Sequence, residues 1–256
     1  MQQERCIGIM GAMPEEIQSI IALLNNTTTS IIGQRNYYSG DIHGIRTVVV
    51  FSRWGKVAGA TTASTLINHF KVSDIIFTGV AGGLVEDVVV GDIVLAEQLI
   101  QHDMDARPLM QQFEIPLLNK TFFKSNTELL VLVKKAIQEI LQKEVLQQLF
   151  TKEELTKFAI NNPKLLIGDI ASGDQFIAES KQKAQLQKLL PTVLCVEMEG
   201  AAVAQVCYEH DIAFVVIRTI SDSADEHAPI DFPAFIQTIA SKYAAAIIQH
   251  TYQLLQ

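Results

Sequence analysis

Four acidic side chains in this sequence stand just past short apolar runs. Glu16 follows the run at residues 6–12, Glu197 and Glu199 follow the one ending at Val196, and Asp222, next to Ser221, follows the one ending at Ile220. Two more runs end in a glycine-rich stretch, residues 79–83, and in Ser172-Gly173-Asp174-Gln175-Phe176. In an open α/β sheet, ligands sit beyond the carboxyl ends of strands. Carboxyl groups delivered there together can donate and accept protons beside an aromatic ring and bare backbone. Each element also has a plainer explanation. Glu16 and Glu199 suit the first turn of a helix, where the dipole favours an acid. Asp222 suits a turn or an N-cap, and Phe176 suits a core. Only the assembly points to a site.

Other chemistries lack their signatures. The glycines match neither GxxxxGK[ST] nor GxGxxG, and no GxSxG is present. His102, Asp103 and Asp105 lack zinc-ligand spacing, and the remaining histidines are isolated. Neither a metal nor a cofactor is expected.

The elements that must position these residues follow from hydrophobic pattern. Residues 6–12 read as a buried strand. Pro14 opens a helix expected over 14–25, with Glu15 and Glu16 in its first turn. Residues 37–42 and 45–52, separated by His43-Gly44, read as a hairpin. A small-residue helix is expected over 55–70, a strand over 74–79 and further strand over 87–99. Ser125-Asn126-Thr127-Glu128 has the form of a capping box before an amphipathic helix. Residues 140–164 read as a helical insertion. Strands near 165–171, 192–196 and 213–220 then alternate with helices near 179–190, 198–210 and 232–255. The pattern implies a three-layer α/β/α fold with a central mixed, mostly parallel twisted sheet.

The chain has 256 residues, 48% hydrophobic and 19% charged, with 28 Asp+Glu against 20 Lys+Arg. That composition excludes disorder. At roughly 150 residues per domain, one large α/β domain spanning 1–256 accounts for the length. The net charge of −8 argues against nucleic acid or an anionic membrane as partner. No apolar run approaches a membrane span, the first residues do not form a signal peptide, and three scattered cysteines suit a reducing compartment such as the cytoplasm.

Five segments then occur in an order that resembles the 5′-methylthioadenosine/S-adenosylhomocysteine nucleosidases, of the purine nucleoside phosphorylase-like fold. They are Gly11-Ala12-Met13-Pro14-Glu15-Glu16, Thr78-Gly79-Val80-Ala81-Gly82-Gly83, Ser172-Gly173-Asp174-Gln175-Phe176-Ile177, Val196-Glu197-Met198-Glu199 and Arg218-Thr219-Ile220-Ser221-Asp222. The resemblance covers 5–102 and 165–250 well and is thin between 106 and 164. It implies hydrolysis of the bond between adenine and a 5′-thio-substituted ribose. It makes Asp222 the acid that protonates adenine N7, Glu16 the activator of water and Glu199 the acceptor of the ribose hydroxyls. Arg218 would hold the acidic cluster and Phe176 would stack on adenine. Ile177 would read the base edge through its backbone. Ala81 and Gly82 would bring backbone to the ligand. Met198, Ser221, Glu197, Met13, Trp54 and Phe232 complete the expected substrate-binding set.

The chemistry fits these roles, because glycosidic cleavage builds positive charge on the sugar and negative charge on the leaving base. Asp222 must then keep a proton at neutral pH, which requires burial or neighbouring carboxylates, and the proximity of Glu16 and Glu199 would supply the latter. Glu199 should stay ionised, helped by a helix N-terminus. The chain departs from the family at Val80, where many bacterial members carry Ser, so Asp222 must be supported by Ser221 or a backbone amide. It departs again at Trp54, where a branched aliphatic residue is usual.

A phosphorylase on the same fold is the nearest alternative, but Phe77 and Val80 cannot hold an anion and Arg53 is the one cation nearby. Hydrolysis of another 5′-substituted adenosine, such as aminodeoxyfutalosine, and a non-enzymatic nucleoside-binding protein are the others. The resemblance also implies a homodimer whose partner closes the 5′ pocket, with Met110, Phe113 and Pro116 as candidates.

Overall fold

The structure is a computed structural model that describes residues 5–225 and 234–256. In chain order the elements are β1 (Cys6–Gly11), α1 (Pro14–Ile21), β2 (Asn25–Ile32), β3 (Arg35–Ile42), β4 (Ile45–Phe51), α2 (Lys56–Asn68) and β5 (Asp74–Gly83). Next come β6 (Ile93–Gln101), β7 (Phe122–Lys124), α3 (Thr127–Ile140), α4 (Lys143–Leu149), α5 (Lys152–Lys157) and β8 (Leu165–Ser172). The chain continues through α6 (Ser180–Leu189), β9 (Val193–Glu197), α7 (Gly200–Glu209) and β10 (Ala213–Asp222). A π-helical turn, Ile236–Ala240, then leads into α8 (Ser241–Leu254).

The mixed α/β expectation holds. One sheet runs β10-β6-β8-β9-β5-β1-β4-β3-β2, with β7 beside β6. Parallel ladders join β4 to β1, β1 to β5, β5 to β10, β6 to β8 and β8 to β9. Because β5 pairs β10 as well as β9, the strands β5, β10, β6, β8 and β9 close into a ring. The β5–β9 seam is short and antiparallel, Gly82 opposite Val196 and Gly83 opposite Cys195. It brings the ends that carry Glu197 and Asp222 to one place.

Side chains along the central strands alternate between two cores, as strand geometry requires. Met10, Phe77 and Val216 face α2 and α7, where Leu66, Ala201 and Val203 meet them. Ile9, Ile76 and Val215 face α1, α3 and α8, with Ile20, Val133 and Ile247. Burial on both faces explains why these strands read as unbroken apolar runs. Among the described residues, no helix is long and apolar enough to cross a membrane.

Several boundaries differ from the sequence reading. The helix expected over 14–25 ends at Ile21, and Asn25–Ile32 is a largely exposed strand. Its threonines favour β structure but show no apolar alternation. The strand expected from residue 87 starts at Ile93. A turn precedes it, where the Asp92 carboxylate accepts from the N–H groups of Val89 (3.1 Å) and Lys164 (2.9 Å). The cap of α3 is Asn126, whose Oδ1 accepts from Leu129 N–H at 3.0 Å, so Ser125 does not head a capping box. In the expected insertion, α5 does begin with one, formed by Thr151 and Glu154.

Candidate active site

At the end of β1 the chain turns through Ala12 and Met13, and Pro14 starts α1 with its fixed φ. Glu16, one turn in, reaches back to the cap. Its Oε2 accepts from the N–H groups of Ala12 and Met13, both at 2.8 Å, and its Oε1 accepts from Val80 N–H on β5 at 3.1 Å. The first-turn acid is therefore a helix cap and a group aimed inward at once. Glu16 is fully buried, and burial pushes its carboxyl up to about 7 although Arg218 and the three N–H groups pull the other way. Gly79 makes room for it, since a Cβ there would stand 3.2 Å from Glu16 Oε1.

The end of β9 supplies Glu197, Met198 and Glu199. Glu197 Oε2 accepts from Arg218 Nη2 at 2.6 Å and Nε at 3.2 Å. Ser172 Oγ donates a very short hydrogen bond to Glu197 Oε1 and accepts from Ala201 N–H at 2.7 Å. Gly200 N–H also donates to the Glu197 carboxylate. Both oxygens of Glu197 are thus held by the protein, and the residue also lines the cleft, as expected of the substrate-binding set. Arg218 also lies behind the cleft wall. It is 1% exposed, stacks 4.1 Å over the Phe77 ring and donates to Phe77 O at 3.2 Å. Its ion pair goes to Glu197, and its charge also acts on Glu199 and Glu16.

Glu199 faces the cleft, and its Oε1 accepts from Gly55 N–H at 2.8 Å. Burial first and the Glu197 carboxylate second push it up to about 8. Desolvation and a like charge therefore work against the helix N-terminus that was expected to favour its ionised form.

Asp222 ends β10, where a register shift between Ile220 and Asp222 leaves Ser221 unpaired and re-aims the next side chain. Its Oδ2 accepts from Ser221 Oγ and its Oδ1 from Ala224 N–H, both at 2.8 Å. These two donors are the support that Val80 does not provide. The Asp222 carboxyl is raised, mainly by burial and further by Asp225. Of the two causes the sequence argument named, burial leads, and the neighbouring carboxylate that adds to it is Asp225 rather than Glu16 or Glu199. Gly82 serves the acid as well, because a Cβ there would come within 2.8 Å of Asp222 Oδ1.

These groups share one cavity of about 330 Å³. Its wall includes Met13, Glu16, Ala81, Gly82, Phe176, Ile177, Glu197, Met198, Glu199, Ser221 and Asp222 from the expected set. Ala12, Gln175 and Val196 also line it; they lie inside the quoted segments but bear no reactive group that would single them out. Trp54 stands at the mouth, 60% exposed, its indole N–H 2.9 Å from Met13 Sδ. Phe176 is 45% exposed. Among the described residues of the wall there is no Lys, Arg or His. Arg53 is outside it and donates to Gln34 O at 2.6 Å. Phe232 lies outside the described residues. Of the candidates for a partner's pocket, Pro116 is exposed and Met110 half-buried, but Phe113 is buried in the chain's own core with Ile100 and Ile177.

Comparison with known proteins places these features in context. The family model described as "Phosphorylase superfamily" matches residues 6–252. The 5′-methylthioadenosine/S-adenosylhomocysteine nucleosidase of Shewanella denitrificans is 33% identical over 230 residues, covering 90% of this chain and 91% of that protein. The S-adenosylhomocysteine nucleosidase of Streptococcus pyogenes, solved in complex with 5-methylthiotubericidin, matches with a TM-score of 0.85 and 30% identity, over 100% of this chain and 99% of that one. The futalosine hydrolase of Helicobacter pylori matches with a TM-score of 0.83 and 32% identity, over 98% of each chain.

Proposed function

Because the chain belongs to the 5′-methylthioadenosine/S-adenosylhomocysteine nucleosidase family of the phosphorylase superfamily, we propose that its cleft hydrolyses the N-glycosidic bond of these two nucleosides, releasing adenine and the 5′-thioribose. The observation that carries water rather than phosphate as nucleophile is the wall itself. It gathers Glu16, Glu199 and Asp222 and, among its described residues, holds no cation that would receive a phosphate.

Asp222 protonates adenine N7 as the bond to the sugar lengthens. Its raised affinity for a proton suits an acid that must still be loaded near neutrality. Glu16, poised at about 7, takes the proton of the attacking water through Oε1, which accepts a single backbone bond, whereas Oε2 already accepts two. Glu199 accepts from the ribose hydroxyls, and those bonds favour its ionised form on binding. Its charge then faces the positive sugar of the transition state. Phe176 and Ile177 hold the base, and Met13, Trp54 and Met198 border the sugar and its 5′ group. A homodimer in which a second copy covers the exposed Leu109 and Leu117 would complete the cleft. Three buried free thiols, Cys6, Cys195 and Cys207, suit a cytoplasmic location.

The similarity to a protein named futalosine hydrolase favours, as a second reading, hydrolysis of an adenosine with a larger 5′ substituent. Chromatography of methylthioadenosine and S-adenosylhomocysteine reactions, with and without phosphate, tests the first reading. Adenine released equally in both buffers is the expected result. Phosphate-dependent release would transfer the protein to phosphorolysis, and adenine from neither nucleoside but from aminodeoxyfutalosine run in parallel would support the second reading.

A further inference from the structure

We propose that Lys56 and Asp103, outside the cleft wall, are positioning residues that clamp the arm carrying Phe176 against the anchor of Glu199. The Lys56 N–H donates to Asp174 Oδ1 at 2.7 Å, and Lys56 Nζ lies 2.6 Å from Asp103 Oδ1. Asp103 Oδ2 accepts from Asp174 N–H at 2.9 Å. Each of the three residues is bonded to the other two, and they come from three separate strand ends, after β4, β6 and β8.

The triangle sits between two parts of the site. Gly55, next to Lys56, gives its N–H to Glu199. Phe176 stands two residues beyond Asp174. The arm starts under tight constraint: His102 N–H donates to Ser172 O at 2.9 Å, and a Cβ at Gly173 would run into the His102 ring. Beyond Gly173, Asp174 bonds to Lys56 and to Asp103. Lys56 and Asp103 side chains are 18% and 24% exposed, so the pair is partly shielded and its charge-assisted bonds are directional. A single pair at this exposure adds little to global stability. Its consequence lies in where it holds the arm, since small misplacement of a binding group costs affinity.

The proposal rests on the reading that Phe176 stacks on adenine. The test measures adenine binding by calorimetry, and KM and kcat with methylthioadenosine, for the full chain and for Asp103→Ala, Lys56→Met and Lys56→Arg. Asp103→Ala and Lys56→Met should each weaken adenine binding and raise KM by about tenfold, with kcat within about threefold and an unchanged melting temperature. Lys56→Arg should stay near wild type, and the double variant should be no worse than either single one. Adenine affinity within about twofold of wild type in both variants, or a loss matched by thermal destabilisation, overturns the clamp. If the wild type binds adenine without releasing it from methylthioadenosine, the hydrolase reading fails while the clamp is still judged on affinity. A wild type that binds no adenine overturns both.

Discussion

Arg218 Nη2 lies 2.6 Å from Glu197 Oε2, in a pair that water barely reaches. The two residues come from β10 and β9, strands that meet in the ring through β5. Their ion pair ties the strand end that carries Asp222 to the one that carries Glu199. Truncating one member of a buried pair leaves the other charge unpaired, at a cost of about 3–5 kcal/mol. Glu197→Ala should lower unfolding free energy by that amount in urea titration. A loss below about 1 kcal/mol would mean that Glu16 and Glu199 suffice as counter-charges for Arg218.

The raised Glu16 carboxyl has opposite consequences for activity and for stability. As a base it must be ionised, so kcat/KM should rise with pH through about 7, and Glu16→Gln should abolish that limb along with most of the turnover. For folding, a group whose pKa is raised from 4.5 to about 7 leaves the native state holding more protons than the unfolded state between those values. Stability is full below 4.5 and declines as pH rises to about 7, by roughly 3 kcal/mol for a shift of this size. Unfolding curves across that window should slope less for Glu16→Gln than for the wild type; equal slopes would contradict the assignment.

Gly82 offers a geometric test of the acid. A Cβ there would press on Asp222 Oδ1 at 2.8 Å and on the Ala224 Cβ at 2.9 Å. Gly82→Ala should displace the carboxyl from its two donors and lower kcat by about a hundredfold, with a smaller effect on KM. Steady-state kinetics decide it, and an unchanged kcat would show that Asp222 can move without loss.

How far these features were legible depends on the range of the signal. Glu16, Glu199 and Asp222 stand beside strand ends, and a strand end is announced by where an apolar run stops. The support for Asp222 was legible too, because Ser221 is its neighbour. The ring closure was not: the β5–β9 seam pairs residues more than a hundred positions apart, and no local pattern encodes that register. The role of Glu197 was hidden for the same reason, since its partners Ser172 and Arg218 come from β8 and β10. The raised pKa of Glu199 comes from burial and a like charge, neither of which a helix-start signal reports. Short range misled as well, where Asn126 rather than Ser125 caps α3 and where α1 stops at Ile21, short of the expected residue 25.

The central claim is that Asp222 protonates the leaving base, and adenine release from methylthioadenosine by Asp222→Asn tests it most directly. Asn retains the shape and an acceptor for Ser221 or Ala224 but has no acidic proton. The account predicts a fall in kcat of about 10²–10⁴-fold against the wild type in the same phosphate-free buffer. Near-normal release of adenine by the variant would contradict it.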